Sequence, residues 1–467
     1  MPKISVEAKR EIVEDFARVI NEKKTEGPKP ATAVINFRND KRDQVERPVY
    51  RVPTTLLRYR KDNGRIASDV SDYEKRNGLL DEKDAAAQEV LARFLAEKDP
   101  EMVNTLSDSL AHIGQNDPAI ITSDGFLING NRRKMVLERL PKKPGFSETM
   151  KVVILPGAKD PGGPPTLIEI EQLENRYQLQ SEGKSEYYGF DRALSIKRKI
   201  DLGFSLRDQL RDDPKYANAT EKELDQAVKQ HEKDFLLPLE CVNRYLELFG
   251  REKLYTSISK GPYDPEGRWQ AFLDYSLAYH RYFKEPKWLL EKGIDEEDIG
   301  AIEDAAFKMI RLRLLKGLPK IHAIMRQLPK LAGVKESRKE VLKISDEVDA
   351  NLPAKELVDA QGTPLAPEEN DRRWAQRYQP HIINRVKKAL DFQEKNDEKE
   401  TPLALLEAAL RKLNHDEMLV KNIAAADFGK ARQLAAEIQT RAKDIEGEIY
   451  DYKKKYDGLG KKDGTRK

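Results

Sequence analysis

The sequence predicts an α+β protein: a small mixed α/β N-terminal domain followed by a largely α-helical C-terminal half. Three observations lead there. Short apolar, β-branched runs at residues 33–37, 119–123 and 126–128 lie in the first third of the chain. Beyond residue 166 the apolar residues recur at helical spacing instead. Charged residues make up 35% of the chain against 39% apolar, which suits a helix-rich protein with much solvated surface.

The length of 467 residues predicts two to four domains. With 84 basic and 81 acidic side chains there is no global polycation, so any contact with nucleic acid has to come from local patches. The single cysteine, Cys241, excludes a disulfide framework and fits a reducing cytosol, so the expected location is cytoplasmic. No apolar run approaches the length of a membrane span, and the first 21 residues are too charged for a signal peptide. No membrane contact is expected.

Residues 6–20 read as a helix through Ile12, Val13, Phe16, Val19 and Ile20, and residues 25–32, with Pro28 and Pro30, as a linker. Residues 33–37 read as a strand, 39–47 as a charged loop and 61–79 as a polar insertion. A helix follows at 81–98, with Ala86, Val90, Leu91, Phe94 and Leu95 on one face, and another at 101–113, opened by Asp99-Pro100.

The chain is organised around residues 117–140. A strand at 119–123 meets Asp124-Gly125, a hairpin pair that tolerates positive φ, and residues 126–128 return. Asn129-Gly130-Asn131 breaks the pattern, and residues 132–140 form an amphipathic helix through Met135, Val136 and Leu140. A glycine at a strand-to-helix turn lets the backbone approach a ligand, and the first helical N–H groups are unpaired. Arg132 and Arg133 oppose the helix dipole, at a cost of about 0.3–1 kcal/mol each, which a bound phosphate reverses. The alternative is that both arginines pair with acidic residues from elsewhere.

This block of strand, Asp-Gly turn, strand, Asn-Gly-Asn-Arg-Arg and helix resembles the ParB/sulfiredoxin superfamily, whose signature is a Gly-x-x-Arg loop opening a helix after a short hairpin. Other pieces stand in the family's order. Val49-Tyr50-Arg51-Val52-Pro53 is similar to its first strand and residues 151–155 to its next. Residues 102–113 are similar to the helix before the first ligand loop, which here reads Gly114-Gln115-Asn116-Asp117-Pro118. Glu174-Asn175-Arg176-Tyr177-Gln178 is similar to the family's Glu-Asn-x-Gln-Arg segment. The resemblance covers roughly residues 48–200 and rests on short motifs.

By that resemblance, Gly130, Asn131, Arg132 and Arg133 hold a nucleoside triphosphate, CTP or ATP, with Gly114 and Pro118 shaping the base and sugar side. Asn175 and Arg176 join the nucleotide set. Glu174 and Asn175 place Mg²⁺, whose hard character suits a carboxylate and an amide oxygen. The catalytic positions implied are Glu174 and Asn131. Two departures bear on turnover: Asn131 stands where the family's partition proteins carry an acidic residue, and the segment after Asn175 reads Arg-Tyr-Gln. Binding without efficient hydrolysis is compatible with both.

The Pro/Gly-rich stretch at 156–165 is an irregular loop, a lid or a plain insertion, and residues 166–180 form a helix. Gly183-Lys184-Ser185 imitates the end of a P-loop, but position 178 is Gln where the motif needs Gly. Residues 186–255 have a helix-turn-helix-like layout: helices at 187–202, 206–210, 220–231 and 236–249, with Thr220 and Glu223 forming a capping box. The 211–218 turn is longer and more acidic than a compact DNA reader wants, so helical bundle and DNA reader both stand.

Residues 279–288 interleave aromatics with Arg281, Lys284 and Lys287, either to stack bases or as core aromatics with snorkelling cations. The acidic run at 295–298 opens a helix. Residues 302–331 form two helices broken near Gly317-Leu318-Pro319, and 335–352 a third. A linker at 359–369 is the expected boundary within the second half. Thr401-Pro402 opens a helix carrying Leu403, Leu406, Leu410 and Leu413. Residues 416–453 form a long helix with a stripe of Leu434, Ile438, Ile445, Ile449 and Tyr452, folded back or paired with a second subunit. The expected domains are thus 1–47, 48–185, 186–255, 256–358 and 370–457, ending in a basic tail at 458–467.

The six histidines do not fall at metal-ligand spacing, no Gly-x-Ser-x-Gly elbow is present, and Cys241 lies far from Gly130, where sulfiredoxin chemistry would need it. The resemblance implies a prokaryotic or phage-type protein that binds a nucleotide and, under its control, DNA. Two other classes stay open: an NTPase, nuclease or kinase of a phage or defence system on the same pocket, and a helical scaffold with a vestigial pocket. A homodimer or protein partner through the C-terminal helices fits each class.

Overall fold

Residues 119–121, all buried, show how the N-terminal sheet is dressed on both faces. Ala119 and Ile121 face one side and Ile120 the other, as period-2 side chains must. The computed structural model describes residues 22, 31–38, 45–98, 100–139, 149–179, 189–216, 218–258, 268–313, 315–358, 362, 365–415 and 418–460. The expected helix at 6–20, the Gly183-Lys184-Ser185 segment and most of the basic tail lie outside the described residues.

The sheet has the order β1-β2-β4-β3, with β1 Thr32–Val34, β2 Glu46–Pro53, β3 Ala119–Ile121 and β4 Thr149–Ile154. β2 pairs antiparallel with β4 (Arg51 opposite Lys151), and β3 runs parallel to β4 (Ile120 opposite Val153). The chain is mostly helical otherwise, so the α+β class holds in that coarse form.

Four helices serve one face of the sheet or its margin: α1 Ala67–Asn77, α2 Ala85–Glu97, α3 Pro100–Ile113 and α4 Asn131–Arg139. Met135 and Val136 of α4 and Leu91 and Leu95 of α2 share a core with Val52, Ala119, Ile121 and Val152. α5, Leu167–Leu179, covers the other face through Ile170 and Leu173 against Ile120, Ile128 and Val153.

Several expectations need correction here. The 61–79 stretch is no insertion: it contains α1, whose Val70 faces the core and whose Ser68 and Asp72 are buried through polar contacts. β2 begins at Glu46, inside the expected charged loop, because β1 supplies its ladder partner. The hairpin loop is three residues, not two. Thr122 N–H donates to Phe126 O (2.9 Å), Gly125 N–H to Thr122 O (3.0 Å), and Gly125 alone takes positive φ (+88°). The Asp124 carboxylate accepts from the Thr122 hydroxyl and closes that wider turn.

The helical body contains α6 Gly189–Asp201, α7 Leu206–Arg211, α8 Glu221–His231, α9 Leu237–Leu248, α10 Trp269–Ala278, α11 Pro286–Lys292, α12 Glu296–Leu312, α13 Ile321–Gly333, α14 Lys335–Glu347 and α15 Pro367–Leu413. Thr220 and Glu223 make the expected capping box on α8. A single core runs from Phe190 through Phe272 and Ile310 to Trp374, Ile382 and Ala389, so the expected domain borders at 255 and 358 are crossed by shared packing. Asp371 adds a half-buried anchor, drawing Arg251, Arg268 and Arg311 to its carboxylate (2.8, 2.8 and 2.9 Å), and against the opposing effect of burial these arginines hold it well below the usual carboxylate range. The 279–288 aromatics are core: Phe283 is buried and Tyr279 and Trp288 pack on it, while Arg281, Lys284 and Lys287 are exposed.

The chain divides into two units at residues 393 and 394, not at the expected linker 359–369. The reason is that the first half of α15 supplies Trp374, Tyr378, Ile382 and Val386 to the core. In the second unit, Pro402 lies inside α15 instead of opening a helix, and α16, Phe428–Gly460, starts later than expected and runs into the predicted tail. Its stripe is exposed, with Leu434 50%, Ile438 47% and Ile449 54% accessible. Among the described residues no helix is long and apolar enough to cross a membrane.

Candidate functional site

Gly130 ends the return segment of the hairpin at φ +86°, a conformation that favours glycine. A Cβ there would stand 2.8 Å from Ala119 Cβ and 2.9 Å from Met150 Cε, so packing demands glycine as well. The Gly130 carbonyl accepts the first helical bond, from Lys134 N–H at 3.0 Å, and α4 points its unpaired first-turn N–H groups from this turn. Asn129 fixes the approach: its Oδ1 accepts from Ile120 N–H at 2.7 Å.

The two arginines reach in different directions to backbone carbonyls. Arg132 Nη2 donates to Lys98 O (3.2 Å), and Arg133 Nη1 donates to Asp117 O. Burial lowers the Arg133 pKa from its ordinary value, opposed by the Asp117 carboxylate. Asn131 is 6% exposed, and its Oδ1 is buried without a hydrogen-bond partner among the described residues, while its Nδ2 donates to Leu127 O at 3.5 Å.

Arg133 thereby ties the Gly130 turn to the 114–118 loop. That loop is held by Gln115, which accepts from Lys151 N–H (2.6 Å) and donates to Lys151 O (2.8 Å) and Asp117 O (2.9 Å). Gly114 caps α3 at φ +77°, and Pro118 leads into β3. Tyr177 of α5 closes the margin: burial, and then the Asp117 carboxylate, push its hydroxyl up to about 12. Arg133 thus links the Gly130 turn to Asp117, next to Pro118, while Gly114 stands at the far end of that loop.

Glu174, Asn175 and Arg176 have other neighbours. Arg60, 1% exposed, lies 2.7 Å from Glu171 and 3.5 Å from Glu174. Arg198 of α6 lies 2.6 Å from Glu171 and 4.0 Å from Glu174. Asn175 Oδ1 accepts from the buried Lys199 ammonium (3.1 Å) and its Nδ2 donates to Gln209 O (3.0 Å). Arg176 donates to Asp212 (3.2 Å) and to Asn36 O (3.2 Å). Arg60 and Arg198 flank the Glu174 carboxylate and Lys199 takes the Asn175 oxygen, so in this arrangement the pair that the resemblance assigns to Mg²⁺ does not fit a magnesium site. Among the described residues no group of His, Cys, Asp and Glu is arranged to hold a metal.

Sequence reasoning missed Arg60, Glu171, Arg198 and Lys199. The Arg60–Glu171 contact alone spans 111 positions, and no local pattern marks them. On the helix-turn-helix-like side, Arg207 of α7 pairs with Glu221 and Asp225 of α8, and Arg211 with Glu221, so these cations are already neutralised within the motif. Comparison of the chain with protein-family profiles, curated proteins and solved structures found no match.

Proposed function

We propose that the Gly130 turn binds the phosphates of a nucleoside triphosphate, CTP or ATP, in a ParB/sulfiredoxin-like manner, and that occupancy controls DNA binding by the helical body. The observation that carries this is a helix N-terminus that positive φ and close packing restrict to glycine at Gly130, with Arg132 and Arg133 in its first turn. Anions at such a terminus gain from both the dipole and the N–H groups. The orphaned Asn131 Oδ1 is suited to accept from a ligand hydroxyl. We assign no magnesium ligand to the chain and no hydrolytic step.

Coupling to DNA would run through α5. Tyr177 borders the turn, while Glu171, Asn175 and Arg176 of the same helix grip α6, α7 and the residue that follows α7. The test is the affinity of a labelled duplex with and without each nucleotide. A nucleotide-dependent change is expected; one affinity under all conditions would remove the control.

A second inference is self-association through α16. This helix of 33 residues, roughly 50 Å long, keeps Leu434, Ile438, Ile449 and Tyr452 exposed on one stripe, and such a stripe is complementary to that of a second copy. Sedimentation should show a dimer that Ile438→Glu dissociates; a monomer at all concentrations contradicts it.

A further inference from the structure

The opposite flank of α4 borders a cavity of about 400 Å³ formed with α2 and the segment that follows β2. Its size lies in the range of small-molecule sites. Lys134, 5% exposed, lines it, with Nζ 3.9 Å from the centre of the Tyr59 ring and 2.7 Å from Glu138. The Tyr59 hydroxyl donates to the same carboxylate at 2.7 Å. Gln88 fixes the Tyr59 backbone, accepting from its N–H (2.6 Å) and donating to its carbonyl (3.0 Å). The walls are therefore set before any ligand arrives.

Arg58 lines the same cavity, positioned by its bond to Thr55 O (2.8 Å), and Leu57 supplies an apolar surface. We propose that this cavity binds a small organic anion, a carboxylate or phosphomonoester with an aromatic or apolar body, its charge between Lys134 and Arg58 and its body against Tyr59 and Leu57. Arg58, Lys83 and Lys134 line the cavity against Glu89 and Glu138, which leaves it a net positive charge that an anion between Lys134 and Arg58 would answer with charge-assisted hydrogen bonds. Burial lowers the Lys134 pKa, Arg58 adding to it, while the Glu138 carboxylate 2.7 Å away opposes. The site stands apart from the Gly130 turn and does not depend on the nucleotide proposal.

The experiment is calorimetric titration of the full chain with phenyl phosphate, benzoate and benzyl alcohol, on wild type, Lys134→Met, Arg58→Gln and Arg132→Ala. Saturable binding of at least one of the two anions and none of the alcohol is expected. Affinity should fall roughly tenfold or more in Lys134→Met and in Arg58→Gln and stay unchanged in Arg132→Ala. Which anion binds separates a carboxylate site from a phosphate site. Binding lost only in Arg132→Ala would place the probe at the Gly130 turn and overturn the proposal. Equal binding of the alcohol, or no binding by either anion, would also overturn it. Arg58→Gln keeps the test decisive if Lys134→Met fails to fold.

Discussion

The Gly130 turn and the Glu171–Arg176 stretch of α5 carry the two motifs that resemble one family, yet their electrostatics differ. At the turn, Arg132 donates to the Lys98 carbonyl among its contacts, Arg133 donates to the Asp117 carbonyl with the Asp117 carboxylate nearby, and a helix N-terminus adds positive potential. On α5, side chains answer side chains: Glu171 meets Arg60 and Arg198, Asn175 meets Lys199, and Arg176 meets Asp212. The first arrangement is the one we propose takes an outside anion. The second is saturated from within and works as a joint between the sheet domain and the helical body. The difference teaches that a motif's residues do not carry its role; their neighbours decide which charge is left to recruit a ligand.

The largest test of that contrast is Arg60→Met. It leaves buried Glu171 and Glu174 short of a counter-charge and should cost about 3–5 kcal/mol in urea unfolding. A loss under 1 kcal/mol would show that the joint is not sustained by its ion pairs. Next comes Gly130→Ala, where positive φ and the Ala119 and Met150 contacts should cost about 1–3 kcal/mol and weaken phosphate binding together. Unchanged phosphate affinity in a folded variant would detach the turn from binding.

Arg133→Ala should cost only about 1 kcal/mol of stability, one hydrogen bond to a carbonyl, while lowering nucleotide affinity roughly tenfold or more. The reverse pattern, large instability with intact affinity, would make Arg133 a member of the joint. The smallest effect is one of pH. Burial holds the Lys199 ammonium below its ordinary value of 10.5, so as pH rises from the folded value toward 10.5 the unfolded chain binds more of this proton than the folded one. Stability should gain from Lys199 across that window, and Lys199→Met should flatten the gain. Identical pH slopes in both proteins would contradict the assignment.

The sequence made the local features legible. The hairpin, the glycine turn, the Thr220–Glu223 cap and the break between α12 and α13 all follow from residues within a few positions of one another. It did not disclose the joint, because Arg60 and Glu171 meet only once the sheet and α5 are packed. The 61–79 stretch read as an insertion because polar Ser68 and Asp72 mask the core face of α1; their partners, Asp191 and Thr256, are far along the chain. The unit boundary was misplaced for a related reason: Pro and Gly mark a break in periodic sequence, not where packing ends, and Trp374 carries the core past it.

The account's central claim is that the Gly130 turn takes nucleotide phosphate. Its most direct test is calorimetric titration of ATP, CTP, GTP and UTP, with Mg²⁺, into wild type and Arg132→Ala. Saturable binding of CTP or ATP that the substitution abolishes is the predicted result. No heat with any nucleotide, or equal binding by the variant, would contradict it.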